Sequence, residues 1–301
     1  MSFLKSDIWY NFRRDPVALV SGAVLLILLL SALFAPLLVG ANPYDGLNFD
    51  LMDSGLPPAW IDGADPRFLL GTDNQGRDMF GAVLYGMRTS ILIGLGAVLL
   101  QLTLGVVLGL WAGYGSKKAE VIIMRVADIK LSFSSYMIAI MFGAIIQMAF
   151  GAANWERVAL PFLIFVIGFS EWPQYARTVR ASVLAEKRKE YVEAARVIGL
   201  PPRRIMFRHI LPNTLTPVLV ISTVQVANAI MSEAALSFLG LGMPVTRPSL
   251  GSLIKTGFDY VLSGQWWICF MPGLTLVILI LVINLMGDWL RDYLNPKLYK
   301  G

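Results

Sequence analysis

The chain has 301 residues, 56% hydrophobic and only 15% charged, with a net charge of +5. Soluble domains carry roughly 25% charged residues, so these side chains cannot cover a globular surface of this size, and a water-soluble globular fold is excluded. The excess apolar surface must meet lipid. One cysteine, Cys269, and one histidine, His209, exclude a disulfide within the chain and a four-ligand zinc site. Cys269 reads as a small apolar residue of a membrane helix.

The first apolar stretch runs from Val17 to Gly40. It is longer than the roughly 7–15 residues of a secretory leader. At about 1.5 Å per residue it spans roughly 36 Å, enough for a bilayer core. Pro36 after Ala35 argues against cleavage there, so a retained first helix is expected. The following loop, 41–88, carries Asp45, Asp50, Asp53, Asp62, Asp65, Asp73 and Asp78 and is rich in Pro and Gly. It reads as ordered but irregular.

A second span is predicted over 90–114. Its Gly105, Gly109 and Gly113 fall on one helix face and invite close approach of another helix. The third span is predicted over 131–150. The fourth, 158–176, is the weakest, interrupted by Pro161 and ending in Glu171 and Gln174. A long fifth span over 214–242 and a sixth over 269–287 follow. The expected fold is therefore all-α, a polytopic membrane protein with six transmembrane helices. It divides into an N-terminal segment, 1–89, and a core, 90–301. Arg125 and Asp128 before the third span read as an interfacial ion pair.

Lysine and arginine set the orientation. Nineteen of the 25 lie in the N-terminus, the 115–130 loop, the 177–209 segment and the C-terminus. Positive loops stay inside, so both termini are expected in the cytoplasm.

The segment 177–213 is long for a membrane-protein loop. Tyr191, Ala194, Ala195 and Ile198 recur at helical spacing, giving a mildly apolar face. Gly199 suits a helix C-cap, and Pro201 and Pro202 prevent continuation while opening a second helix. Two short helices joined at a sharp corner are expected. Small alanines beside Glu193 make a low-bulk surface suited to a groove; a solvated basic loop is the plainer alternative.

These residues also carry a family resemblance. Glu193-Ala194-Ala195, then Gly199, then Leu211-Pro212 resemble the EAA loop of ABC importer permeases. The string from Arg208 through His209 to Asn213 resembles the dipeptide and oligopeptide branch. Four further segments are similar to that branch, in the same order. They are Asn11 to Asp15, Leu70 to Asp78 with Tyr85-Gly86 and Arg88-Thr89-Ser90, Glu233 to Gly242, and Asn284 to Asp288 with Leu290-Arg291-Asp292. Ser134 stands where the family often has proline after Phe133, which removes the basis for a proline kink in the third helix. The set resembles the C-type permease of a peptide importer.

The resemblance implies a type I importer fold and no catalysis in this chain. It implies a second, B-type permease, two ATPase subunits using ATP and Mg2+, an extracytoplasmic solute-binding protein, and residence in the inner membrane, with no nucleic-acid partner. The implied ATPase-docking residues are Tyr191, Glu193, Ala194, Ala195, Gly199, Arg203, Arg208 and His209. Cargo in this branch is a dipeptide or oligopeptide, or a nickel chelate, opine or other peptide-like compound.

The chain itself lacks G-x-x-x-x-G-K-[ST] and H-E-x-x-H, so no P-loop or zinc-protease helix is present. Ser222, Gln225, Asn228 and Ser232 share a face of the fifth span. Polar groups in lipid need partners, so that face meets either a neighbouring helix or a water-filled path. Glu233 is expected to be the one acid inside a span. It is read as satisfying backbone N–H groups where the helix breaks near Gly240 and Gly242, and as shaping the outer gate; facing the path and pairing with a cation are the alternatives. An ion-coupled carrier would show internal repeats and intramembrane charges; no convincing repeat is present, and Glu233 is the one candidate coupling site. A non-transporting scaffold would keep the polar face dry, which cysteine labelling at Gln225 and Asn228 distinguishes.

Overall fold

The computed structural model describes residues 7–40, 42–44 and 50–294; Lys5, Asp45, Lys297 and Lys300 lie outside the described residues. Among the described residues there are helices and turns but no strand beyond an isolated bridge between Thr72 and Asp78. The helices are α1 (Asp7–Arg14), α2 (Pro16–Leu33), α3 (Ala35–Leu38), α4 (Met79–Tyr114), α5 (Lys117–Leu131), α6 (Ser135–Phe150), α7 (Ala152–Glu186), α8 (Glu190–Val197), α9 (Pro202–Arg204), α10 (Leu211–Leu236), α11 (Leu250–Phe258) and α12 (Trp267–Tyr293). Five helical segments are long and apolar enough to cross a bilayer, and the bent pair α5–α6 makes a sixth when taken as one span.

Caps and prolines explain where the observed bounds depart from the expected ones. Asp15 starts α2 by accepting from Val17 N (2.9 Å) and Ala18 N (3.1 Å), with Pro16 in the first turn. The helix breaks at Phe34 rather than running to Gly40, because Pro36 cannot donate back to the preceding turn. Asp78 caps α4, taking Phe80 N (3.2 Å) and Gly81 N (2.9 Å). The expected second span therefore gains three turns that had been assigned to the loop. At 36 residues α4 is about 54 Å long, well beyond the roughly 30 Å of a hydrocarbon core.

The 115–130 segment is helix α5, not a loop, capped by Ser116. It meets α6 at 82° across a short break. This sharp bend forms without proline. Buried Lys130 stitches it, its ammonium reaching Ser135 Oγ (3.0 Å) and the Ser170 carbonyl of α7. Asp128 pairs with Arg177 (2.6 Å), not with Arg125, and Glu120 pairs with Arg180. Both pairs bind α5 to the extension of α7 beyond the expected fourth span.

α4 and α7 are the central packed pair. A Cβ on Gly105 would lie 2.2 Å from Tyr175 Cβ, and one on Gly109 would lie 2.7 Å from the Ala176 carbonyl. Gly113 meets Val183 in the same way, at 2.7 Å. The glycine row is thus a backbone-contact seam, as the spacing suggests. Leu84 and Met87 of α4 pack with Ile230 of α10, Leu250 of α11 and Leu279 of α12 in one core cluster. A second cluster joins Ile93 of α4 to Leu163 of α7 and Leu236 of α10.

The loop before α4 is pinned by its polar side chains. Thr72 Oγ1 donates to the Asp53 carbonyl (2.6 Å) and accepts from Leu56 N (2.8 Å), while Trp267 Nε1 donates to the Thr72 carbonyl (3.0 Å). Gly76 has φ of +80°, and a side chain there would collide with the Asp50 carbonyl at 1.9 Å.

Gly105→Leu forces side-chain volume into this seam and is expected to cost about 1–3 kcal/mol or more. Thermal unfolding of the purified protein in detergent should show a clear loss for Gly105→Leu. Leu99→Ala, at an exposed position of the same helix, should show little; equal losses would contradict the seam.

Candidate docking corner and polar path

The segment after α7 forms a braced corner. α8 ends in a Schellman turn: Gly199 N donates to the Arg196 carbonyl (3.0 Å) and Leu200 N to the Ala195 carbonyl (3.1 Å). Gly199 sits at φ of +78°, where an L side chain is strained, although nothing in the chain lies near its Cβ position. Pro202 then opens α9, and a π turn over Ile205–Ile210 runs directly into α10. From Pro202 the chain runs as one helical segment up to the break at Gly240.

The structure divides the face that the sequence grouped together. Val192 and Ala195 turn inward onto Val179, Val183, Ile205 and Ile210, so Ala195 is core rather than surface. Ala194, Val197 and Ile198 point outward, with Val197 and Ile198 exposed at 86% and 73%. Glu193, Arg203, Arg208 and Phe207 are also exposed, giving an apolar tip ringed by charge. Val197 and Phe207 were not singled out from the sequence, although both are large apolar residues in a polar stretch.

Tyr191 is a strut. Its hydroxyl donates to Glu186 Oε2 (2.5 Å) and accepts from Asn213 Nδ2 (3.1 Å). Burial and the bond to Glu186 push its phenol up from the ordinary value. Asn213 also donates to the His209 carbonyl (2.8 Å). His209 thus contributes its backbone to the brace, and its side chain is half-buried. α7, α8 and α10 are joined through this one phenol.

The polar residues of α10 have different surroundings. Ser222 accepts from Tyr175 of α7 (3.2 Å) and donates to the Val218 carbonyl (2.8 Å), an interhelical contact. Gln225, Asn228 and Ser232 line a cavity of about 210 Å³ with Gln101, Tyr136 and Glu171. A larger concavity of about 690 Å³, lined by Gln174, Thr216, Val220 and Arg291, opens on the other side of Gln225 and Asn228. Asn228 Nδ2 donates to Gln225 Oε1 (2.8 Å). Within the described chain, buried Gln225 Nε2 and Gln101 Oε1 have no hydrogen-bond partner. Glu171 lies well inside α7, so Glu233 is not the only acid within a span; it accepts from Gln174 Nε2 (2.7 Å) and Ser135 Oγ (3.3 Å).

Glu233 is fully buried and faces neither cavity. Its carboxylate accepts from Ser90 Oγ of α4 (2.9 Å) and Ser237 Oγ (2.6 Å). The expected backbone donors are replaced by hydroxyls, and no ion pair reaches it among the described residues. Leu250 N, the first of α11, donates to Ser90 Oγ (3.1 Å), so a backbone donor reaches the carboxylate only through that serine. Ser249 caps α11 with Ser252 and touches Ser237 Oγ (3.3 Å). Beyond it the chain breaks at Gly240, with φ of +92°. Among the described residues no group of three or more His, Cys, Asp or Glu side chains is placed to hold a metal.

Comparison with known proteins places this architecture. Residues 105–300 match the family described as binding-protein-dependent transport system inner membrane component. Residues 2–58 match the N-terminal TM domain of oligopeptide transport permease C. The chain is 38% identical to the di/tripeptide transport system permease protein DppC of Pseudomonas aeruginosa (strain UCBPP-PA14), over 97% of this chain and 92% of that protein. It is 39% identical to the dipeptide transport system permease protein DppC of Escherichia coli (strain K12), over 97% and 93%. A solved structure of the MetNI methionine ABC transporter in an inward-facing conformation superposes with a TM-score of 0.57 at 18% identity, covering 72% of this chain and 98% of that one. That likeness is one of fold.

Glu233→Ala leaves Ser90 and Ser237 without their shared acceptor, and Ser90→Ala removes the bridge to α11. The two losses should overlap in a double-mutant cycle, with a coupling of about 0.5–3 kcal/mol. Thermal unfolding in detergent measures it; strictly additive losses would show that the two groups act separately.

Proposed function

The chain belongs to the binding-protein-dependent transport system inner membrane component family, and on that premise we propose how its corner and its polar path work within an importer. Members of this family are multi-pass permease subunits of ABC importers and not enzymes; ATP hydrolysis is carried out by separate subunits. We infer that the cargo is a dipeptide or a closely similar peptide, which the naming of the relatives supports.

The corner docks on the ATPase. Ala194, Val197, Ile198 and Phe207 enter a cleft of that subunit, and Glu193, Arg203, Arg208 and the half-exposed side chain of His209 contact its rim. The observation that carries this reading is mechanical. The Schellman turn and the Tyr191 brace fix the exposed tip to α10, and α10 continues without interruption to the Glu233 clamp. When the ATPases close on ATP and Mg2+, the corner moves as a rigid piece. Gln225, Asn228 and Ser232 then shift against Gln101 and Glu171, and the path opens to alternate sides.

The distribution of lysine and arginine supports placing the corner and both termini in the cytoplasm. A second, B-type permease completes the path, with two ATPase subunits below it. An extracytoplasmic solute-binding protein delivers the cargo at the opposite face.

Purification in mild detergent from native cells should recover a second permease, ATPase subunits and a solute-binding protein carrying a peptide. Photo-crosslinking from residue 197 in membranes should label the ATPase. Isolation without any ATPase, together with no crosslink from 197, would remove the corner's assigned role. Gly199→Val should lower ATP-driven peptide uptake at least tenfold while leaving the membrane core folded, because a β-branched residue resists positive φ. Normal uptake and ATPase association in that variant would count against the corner.

A further inference from the structure

A cavity of about 390 Å³ lies at the end of α10 away from the corner, between the Gly240 break and α11. Trp155 and Met243 form apolar walls, and Trp155 Nε1 is held by the Gly242 carbonyl (3.2 Å). Tyr260 closes one edge, its hydroxyl taking a hydrogen bond from Asn74 of the loop before α4 (2.9 Å). The charged residues of this cavity are Lys255, on the exposed side of α11, and Asp259, the exposed residue that caps its C-terminus.

These opposite charges do not pair with each other, and neither side chain is bonded to any described residue. Lysine one turn before an acid is the weaker order for such a pair on a helix. Lys255 leans instead toward the α10 break, its ammonium 3.2 Å from the position a Cβ on Gly240 would occupy. Gly240 thus provides the left-handed turn and leaves the ammonium uncovered.

We propose that this cavity receives a compact zwitterion, the cargo dipeptide itself, with its carboxylate on Lys255 and its ammonium on Asp259; this rests on the peptide reading above. Residues four apart on a helix are separated by about 6 Å along the axis. An extended dipeptide spans about 7 Å, comparable to the axial spacing of the two positions. Both contacts are charge-assisted hydrogen bonds in a concave site, and charge-assisted bonds are the strong class. The cavity adjoins Ser237, so an occupant sits directly beside the partners of the Glu233 clamp. The site is a receiving station at the mouth of the path, separate from the Gln225 and Asn228 cavity.

The test uses the complete transporter in vesicles of phosphatidylglycerol alone, which offers no zwitterionic headgroup, with uptake of radiolabelled dipeptides as the readout. Lys255→Gln and Asp259→Asn should each lower the uptake rate about tenfold at subsaturating peptide while ATP hydrolysis stimulated by the binding protein persists. The charge-keeping pair, Lys255→Arg with Asp259→Glu, should retain most of the uptake, because both ends of the dipeptide keep a partner of opposite charge. Unchanged uptake in the single variants, or a loss in the charge-keeping pair as large as theirs, overturns the proposal. Losses seen only when phosphatidylethanolamine is added would assign the site to a lipid headgroup and overturn it too. If the unaltered transporter moves no dipeptide at all, the peptide reading fails first, and this proposal with it.

Discussion

A carboxylate in a membrane interior has no water to solvate it, and everything near it must be arranged to supply hydrogen bonds. Glu233 imposes that requirement on three helices. Its acceptors draw Ser90 of α4 and Ser237 at the end of α10 to one point, and Ser90 in turn holds the first N–H of α11. Removing a donor leaves a buried polar group unpaired, which costs more than the bond itself contributes. α4, α10 and α11 therefore meet at a fixed position.

The two ends of α10 are held by different chemistry. At the corner Tyr191 donates to Glu186 and accepts from Asn213 at a partly exposed surface, where water competes for every partner. At the clamp the partners are hydroxyls sealed from water. A displacement applied at the wetter end meets the least resistance there. It passes the half-satisfied amides Gln225 and Gln101 before reaching the clamp. Those amides can exchange partners as the helix moves, which a fully bonded pair would resist.

Much of this organisation was legible in the sequence because the bilayer enforces simple rules. Apolar runs, the glycine row and the Gly199-Pro201-Pro202 corner each have one dominant physical meaning. What escaped were features set by capping and by tertiary pairing. Asp78 looked like one more loop acid until its bonds to Phe80 and Gly81 made it the start of α4. α5 was hidden because its charges, Glu120 and Asp128, read as loop residues; they are partners of Arg180 and Arg177 on a distant part of the chain. α11 carried no expectation, since nine residues are too few to span and its cap is a serine pair. Ala194 and Ala195 are adjacent and chemically identical, so only the core beneath them decides which one faces out.

The row of glycines on α4 has a mechanical consequence. Backbone resting on backbone leaves no side-chain slack: sliding α4 along α7 by one residue would drive neighbouring side chains into the main chain where Gly105, Gly109 and Gly113 now sit. This pair is the most closely packed frame of the fold. A shift of α4 along α7 is thus closed off, and α10 can move against that frame only by rotation or tilt, so the fold has few directions of motion open to it.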